Sequence, residues 1–236
     1  MADESTARIA RLRLLAQVVR HPSAILLLVQ LAALLAYPFF EGTRAAVAAF
    51  GAFGVLVLLL ALRMVNRTAG HTRFVVAIAL AVAAVASNLL TTPGGGDWLT
   101  PWSAAIEAAF YFHAAACLVA YMLADRRATS DELFCAGATF TLLAWAFAYV
   151  FAMCQFLQPG CLASAVNPDS PRTWSELLFL SFVLLSSTGI GDIIPLTPQA
   201  RALASLEIFV GVMYLALIVS RLIGLSLLTR EESGRR

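Results

Sequence analysis

The sequence contains no lysine: all sixteen of its basic residues are arginine. Charge of either sign is scarce, with 13% charged residues against 61% apolar ones and a net charge of +2. Soluble domains carry about a quarter charged residues, so water is excluded as the solvent for most of this chain. The small net charge gives nucleic acid no basic footprint. Histidine and cysteine are also few, three and four, with no pair at metal-ligand spacing and no H-E-x-x-H motif.

What is present is long apolar runs. A spanning helix needs about 20 mostly apolar residues to cross about 30 Å of hydrocarbon. Six such runs can be drawn: Ile25 to Phe40, Ala45 to Leu62, Phe74 to Leu90, Trp102 to Leu123, Leu133 to Leu157 and Ala202 to Leu228. Together they leave little for a soluble domain. The first follows a polar stretch ending at His21 and resembles a signal peptide, but no small-residue cleavage site with a soluble mature domain follows, so it is expected to stay as an uncleaved span. A seventh apolar stretch, Thr173 to Leu185, is too short to cross. With the residues after it, this stretch predicts a re-entrant loop, which is tolerated at membrane depth only inside protein or beside a water-filled cavity.

Arginine placement sets the expected orientation, because short cytoplasmic loops carry the positive excess. Arg8, Arg11, Arg13 and Arg20 precede the first run, Arg63, Arg67 and Arg73 lie between the second and third, and Arg126 and Arg127 between the fourth and fifth. With Arg230, Arg235 and Arg236, these segments are expected inside. The outer loops hold Arg44, Arg172 and Arg201. The reading is therefore a multi-pass protein of a cell's inner (plasma) membrane with both termini cytoplasmic. Arg-only, Ala-rich usage fits a GC-rich bacterial genome. Residues Ser5 to Arg20 place Ile9, Leu12, Ala16 and Val19 at helical spacing, read either as an interfacial helix or as a basic terminus that only fixes topology. Thr129-Ser130-Asp131-Glu132 has the capping-box pattern and predicts a new helix start. The link before it is then short, which favours peripheral helices packed on their own subunit's pore helices over a swapped arrangement. The eight residues after Leu228 leave no room within this sequence for a nucleotide- or calcium-sensing domain.

Directly after the short apolar stretch comes Ser186-Ser187-Thr188-Gly189-Ile190-Gly191-Asp192. The region Leu178 to Asp192 resembles the pore region of potassium channels, whose filter follows T-x-G-[YFL]-G-D. Ser187 falls on the threonine, Gly189 and Gly191 on the glycines, and Asp192 on the aspartate. The resemblance covers about the last 100 residues, and its specificity lies in the whole arrangement of outer span, short helix, motif and inner span. It implies an all-α membrane protein of six transmembrane helices plus a re-entrant pore helix and selectivity filter, assembled as a homotetramer around a central pore. Residues 1–21 would be a cytoplasmic segment, 22–128 a peripheral four-helix domain, 129–228 the pore domain and 229–236 a cytoplasmic tail.

The chemistry behind such a motif is the replacement of a permeant ion's water shell by backbone carbonyls. Successive carbonyls face one way only if alternate residues adopt left-handed angles, which glycine does at least steric cost. The expected K⁺ ligands are the carbonyls of Ser187, Thr188, Gly189 and Ile190 with the Ser187 hydroxyl, in a filter that closes at Gly191. Asp192 would charge the outer mouth. No other cofactor is implied, and the expected partners are K⁺, with Na⁺ as the alternative, membrane lipid and three further copies of the chain. One pore loop per chain requires a symmetric tetramer.

Several residues depart from the family. Ile190 stands where an aromatic is usual, Thr188 where valine is usual, and Val183 where some relatives carry a carboxylate that partners the filter aspartate. Glu207 in the sixth run is costly in hydrocarbon and is expected to hydrogen-bond either behind the filter or near Ser181, with a gating role, or else to be neutralised by protonation or turned outward. Gly211 lies at the inner-helix hinge position of the family, with packing as the alternative, and Ser220 further along is a second gating candidate.

The fourth run contains no arginine. Voltage sensing by moving charge supplies about 2.3 kcal/mol per charge per 100 mV, so steep voltage gating by this route is not expected. The run carries Glu107 and His113 instead, candidates for proton sensing that lie on different helix faces. For His113 the alternative is a satisfied packing histidine, and Gln30 and Asn88 are read as interhelical hydrogen-bond partners. Cys154 and Cys161 flank the outer end of the fifth run with Pro159-Gly160 between them, where an oxidising exterior would permit a disulfide. Cys117 and Cys135 are expected as buried thiols. The expected function is a passive, K⁺-selective channel. Its rivals are a non-selective cation channel on the same architecture, a membrane enzyme using Ser186 or Ser187, for which no base lies within reach, and a transporter, for which repeated halves are missing.

Overall fold

The computed structural model describes residues 22–40, 54–57, 59–66, 69–90, 99–124, 130–168 and 170–234. The proposed interfacial segment Ser5 to Arg20, the start of the second run, Arg44, Arg67, Arg126, Arg127, Thr129 of the capping box and the Asn88 side chain lie outside the described residues. Within them the chain forms α1 (Pro22–Phe40), a helical stretch over 54–57 and 59–66, α2 (His71–Leu90), α3 (Thr100–Ala124) and α4 (Ser130–Leu157). Then follow β1 (Leu162–Ser164), α5 (Trp174–Leu185), β2 (Ile193–Pro195) and α6 (Pro198–Gly234).

Among the described residues three helices, Thr100–Ala124, Asp131–Leu157 and Pro198–Arg221, are long and apolar enough to cross a membrane. Ser23–Ala36, His71–Ser87 and Trp174–Leu185 are shorter apolar helices. Local chemistry explains the starts. α1 opens on Pro22, whose missing N–H is no loss in a first turn. Thr197 accepts a hydrogen bond from the Ala200 N–H at 3.3 Å, capping α6 just before Pro198.

α4 is the central element. α3 packs along it through Tyr111, which stacks on Tyr149 at 5.8 Å and tilts against Trp145 at 5.7 Å, and through Phe112, edge-on to Phe147 at 5.0 Å. α1 reaches it at Gly137, where a Cβ would come within 2.9 Å of Leu27. Beside that contact the buried Thr141 Oγ1 donates to Gln30 Oε1 at 2.7 Å, so Gln30 is an interhelical partner as the sequence suggests. α6 is tied to α4 by Tyr214, whose hydroxyl donates to the Ala136 carbonyl at 2.6 Å in a buried position.

The all-α expectation needs one correction. β1 and β2 form an antiparallel pair, Leu162 opposite Pro195, Ala163 opposite Ile194 and Ser164 opposite Ile193. Three-residue strands leave no periodic pattern to read, and their pairing is long-range. The pair ties the loop after α4 to the residues directly after Asp192.

Replacing Thr141 with valine keeps the shape and removes the donor to Gln30. We expect a loss of about 1 kcal/mol, read as a lower midpoint of thermal unfolding in detergent; an unchanged midpoint would show that the bond contributes nothing.

Candidate functional site

The site is built from α5 upward. Its N-terminus carries a full capping box: Thr173 Oγ1 accepts from the Glu176 N–H, and Glu176 Oε2 accepts from the Thr173 N–H at 2.7 Å. Arg172, 4% exposed, anchors the same turn. It pairs with Glu176 at 3.2 Å and donates to the carbonyls of Asn167 and Ser170. Its backbone exchanges two hydrogen bonds with the Gln155 side chain on α4, at 2.7 and 3.1 Å. Trp174 then packs on Tyr149 at 4.2 Å and Trp145 at 6.1 Å. The start of α5 is therefore fixed to the C-terminal half of α4.

Its other end is fixed by glycine. A Cβ on Gly211 would lie 1.9 Å from the Leu185 carbonyl oxygen and 2.7 Å from its carbon, so α6 passes the last turn of α5 at backbone contact. Gly211 is thus a close-packing position, and α6 runs through it as one unbroken helix. One turn before it, Glu207 lies next to Ser181. Both are 0% exposed, and neither Ser181 Oγ nor the Glu207 carboxyl oxygens make a hydrogen bond of good geometry. Glu207 is therefore enclosed between α5 and α6. Ser220 lies on the exposed side of α6.

After Leu185 the chain turns. The N–H groups of Ser186, Ser187 and Thr188 donate to the carbonyls of Phe182, Leu184 and Val183, each at 3.0 Å. Ser186 Oγ sits 2.6 Å from Thr188 Oγ1. The backbone then alternates in hand: φ is +57° at Ser187, +66° at Gly189 and +80° at Gly191. No atom lies within 4 Å of where a Cβ would stand on either glycine, so their need for glycine is conformational. Ser187 adopts the left-handed region without being glycine, a strained choice with no signal in the sequence. All residues from Ser186 to Asp192 are exposed. Asp192 is exposed, and its carbonyl accepts from the Ala165 N–H at 3.0 Å, joining the β1–β2 pair to the end of the motif.

A short helix thus lies between two long apolar ones and is followed by a segment of alternating hand. Residues 138–225 match the ion channel family. The match runs from α4 through α5 and the motif into α6, and it supports a membrane ion channel; the family's description names no particular ion. No curated protein and no solved structure matches the chain.

The other sequence candidates lie away from the channel motif. His113 on α3 is half-buried, with Nε2 2.9 Å from the Arg73 carbonyl oxygen and 3.6 Å from Cys117 Sγ; it binds α2 to α3. Glu107 is buried on α3 near Tyr111 and Tyr149. The structure does not bring the two together. Cys154 and Cys161 are neighbours, but they are buried free thiols rather than a disulfide. Cys117 and Cys135 are buried thiols as well. The Arg172 anchor and the strand pair are the functional-site features that the sequence reading missed; an arginine one residue before a capping box is the signal that could have found the first.

Two outcomes are expected. Gly211→Ala forces a methyl group onto a backbone carbonyl that cannot yield, and should destabilise the protein by about 3 kcal/mol, seen as a lower unfolding midpoint in detergent; a neutral effect would mean that the helices are not in contact. Burial, and then the Cys154 thiol beside it, push the Cys161 thiol up to about 12. At pH 8 it is therefore protonated in the fold, and since the thiolate is the reactive form, a maleimide should label it at least about tenfold more slowly than in denaturing detergent. Equal rates would contradict this placement.

Proposed function

We propose that the chain is one of four identical subunits of a potassium channel in a bacterial inner membrane, with six spans, both termini in the cytoplasm and no cofactor beyond the permeant ion. The observation that carries this reading is the left-handed φ at Ser187, Gly189 and Gly191, every second residue, immediately after α5. That alternation is what a backbone needs to offer successive carbonyls to one side. The carbonyls of Ser187, Thr188, Gly189 and Ile190 and the Ser187 hydroxyl then replace the ion's water, and Asp192 concentrates cations at the mouth. In this reading 22–128 form the peripheral domain and 129–228 the pore domain.

Tetramer formation is supported by the surface of α6. It is the most apolar of the three long helices, with a mean hydropathy of 2.3, yet it is the least covered by its own chain, 28% buried against 50% and 56% for the others. Leu206, Phe209, Met213 and Val219 are exposed along it. Fourfold assembly would seat part of this surface on neighbouring copies and turn part toward the axis. The arginine-free α3 supports conduction without steep voltage dependence.

A second reading, a cation channel that does not separate Na⁺ from K⁺, is favoured by Ile190. Its side chain is 60% exposed and replaces the ring that braces the filter in the family this motif resembles. Purified protein in planar bilayers under opposed K⁺ and Na⁺ gradients decides between them. The K⁺ reading expects reversal near the K⁺ equilibrium potential; a value near zero supports the non-selective one. Gly189→Ala should reduce the current about tenfold or more, because alanine resists the left-handed region by about 1–2 kcal/mol at each of four subunits. Undiminished current in that variant would remove the motif from the conduction path.

A further inference from the structure

At the end of α4 opposite the motif, the first turn carries two adjacent carboxylates, and each is committed to a different helix. Glu132, 2% exposed, holds Arg221 of α6 in an ion pair of 3.0 Å, in which the arginine side chain is itself only 14% exposed. Asp131 accepts from Ser23 at the start of α1: the serine hydroxyl, fully buried, donates to the Asp131 carbonyl at 3.0 Å and to its Oδ1. Two turns along α6 from Arg221 the Tyr214 hydroxyl grips the Ala136 carbonyl, one turn along α4 from Glu132. α6 therefore meets α4 at two polar points on one seam, and Arg221 is the last of them among the described residues. Met122 at the end of α3, Ala136 and Ile218 line a small pocket together with the two partners of the ion pair.

An enclosed ion pair contributes little net stability compared with an apolar pair, but removing one partner leaves the other charge buried and is strongly destabilising. Such a contact is suited to holding one of two arrangements. A helix that lines a pore can move only where its ties can be released, and the backbone contact of α6 at Gly211 has no side chain to withdraw, unlike its side-chain ties at Tyr214 and Arg221.

We propose that the first turn of α4 is a clamp that joins α1 to the inner end of α6, Asp131 holding Ser23 and Glu132 holding Arg221, and that releasing the clamp changes the opening of the pore. The role in opening rests on the channel reading above. The pairing itself does not, and the test separates the two.

Glu132→Gln, Arg221→Gln, Ser23→Ala and the charge-exchanged double variant Glu132→Arg with Arg221→Glu are purified in detergent and reconstituted in bilayers. Thermal unfolding reads the clamp whether or not current flows. Each single variant should melt lower, the exchanged pair should recover at least half of the loss, and Ser23→Ala combined with Arg221→Gln should depart from additivity. In bilayers, Glu132→Gln and Arg221→Gln should both shift open probability at least tenfold in one direction, with the exchanged pair returning it toward wild type. Strict additivity in melting, or no recovery in the exchanged pair, overturns the clamp. Recovery in melting with unchanged open probability in conducting variants overturns its role in opening. A wild-type protein that melts as expected and carries no current overturns the channel reading alone.

Discussion

The approach of α6 to α5 at Gly211 is the contact on which the geometry of the motif depends. With Leu185 O where a Cβ would need to be, the two helices are held at the distance of their backbones, and nothing else can come between them there. Where α5 ends is where the motif begins, because Ser186, Ser187 and Thr188 hang their N–H groups on the last carbonyls of that helix. The carbonyl end of a helix also carries partial negative charge, so the same contact fixes a cation-favouring dipole at the base of the motif.

The remaining ties hold the segment from its other end. Arg172 and the Gln155 amide bind the start of α5 to α4, and Trp174 wedges between Tyr149 and Trp145. The β1–β2 pair then stitches the chain beyond Asp192 to the loop that follows α4, while Thr197 Oγ1 donates to Gln158 Oε1 at 3.0 Å. Non-helical backbone within a bilayer needs such partners, since lipid offers none. These ties are made by loop residues and helix ends whose polar groups would otherwise depend on water.

The parts legible in the sequence are those set by short-range chemistry. The bounds of α4 and α5 follow closely from apolar length and from the capping-box pattern at Thr129 to Glu132, whereas α6 runs past both ends of the apolar stretch Ala202 to Leu228. Gly189 and Gly191 announce their backbone because left-handed angles select glycine. The left-handed φ at Ser187 could not be read, because no glycine stands there to announce it. The strand pair escaped because its register is set by closure between residues about thirty apart in sequence, and Cys154 and Cys161 were placed together correctly while their thiols stay free. The close approach of Gly211 to Leu185 is a fact of tertiary packing and leaves no local trace in the sequence. The Glu132–Arg221 pair is of the same kind: eighty-nine residues separate its partners.

The ties are unevenly shared along α6. Toward the motif the helix is bound by its cap, by backbone contact at Gly211 and, through β2, by the loop laced to β1. Toward the opposite end it is bound by side-chain groups, the Tyr214 hydroxyl and the Arg221 guanidinium, both of which can exchange partners without strain in the backbone. Contacts made by backbone in close approach have no alternative arrangement of similar energy, whereas an ion pair at a helix surface does. Any movement of α6 that leaves the alternating segment intact must therefore be concentrated beyond Gly211. The carboxylates of the first turn of α4 stand where such a movement would begin.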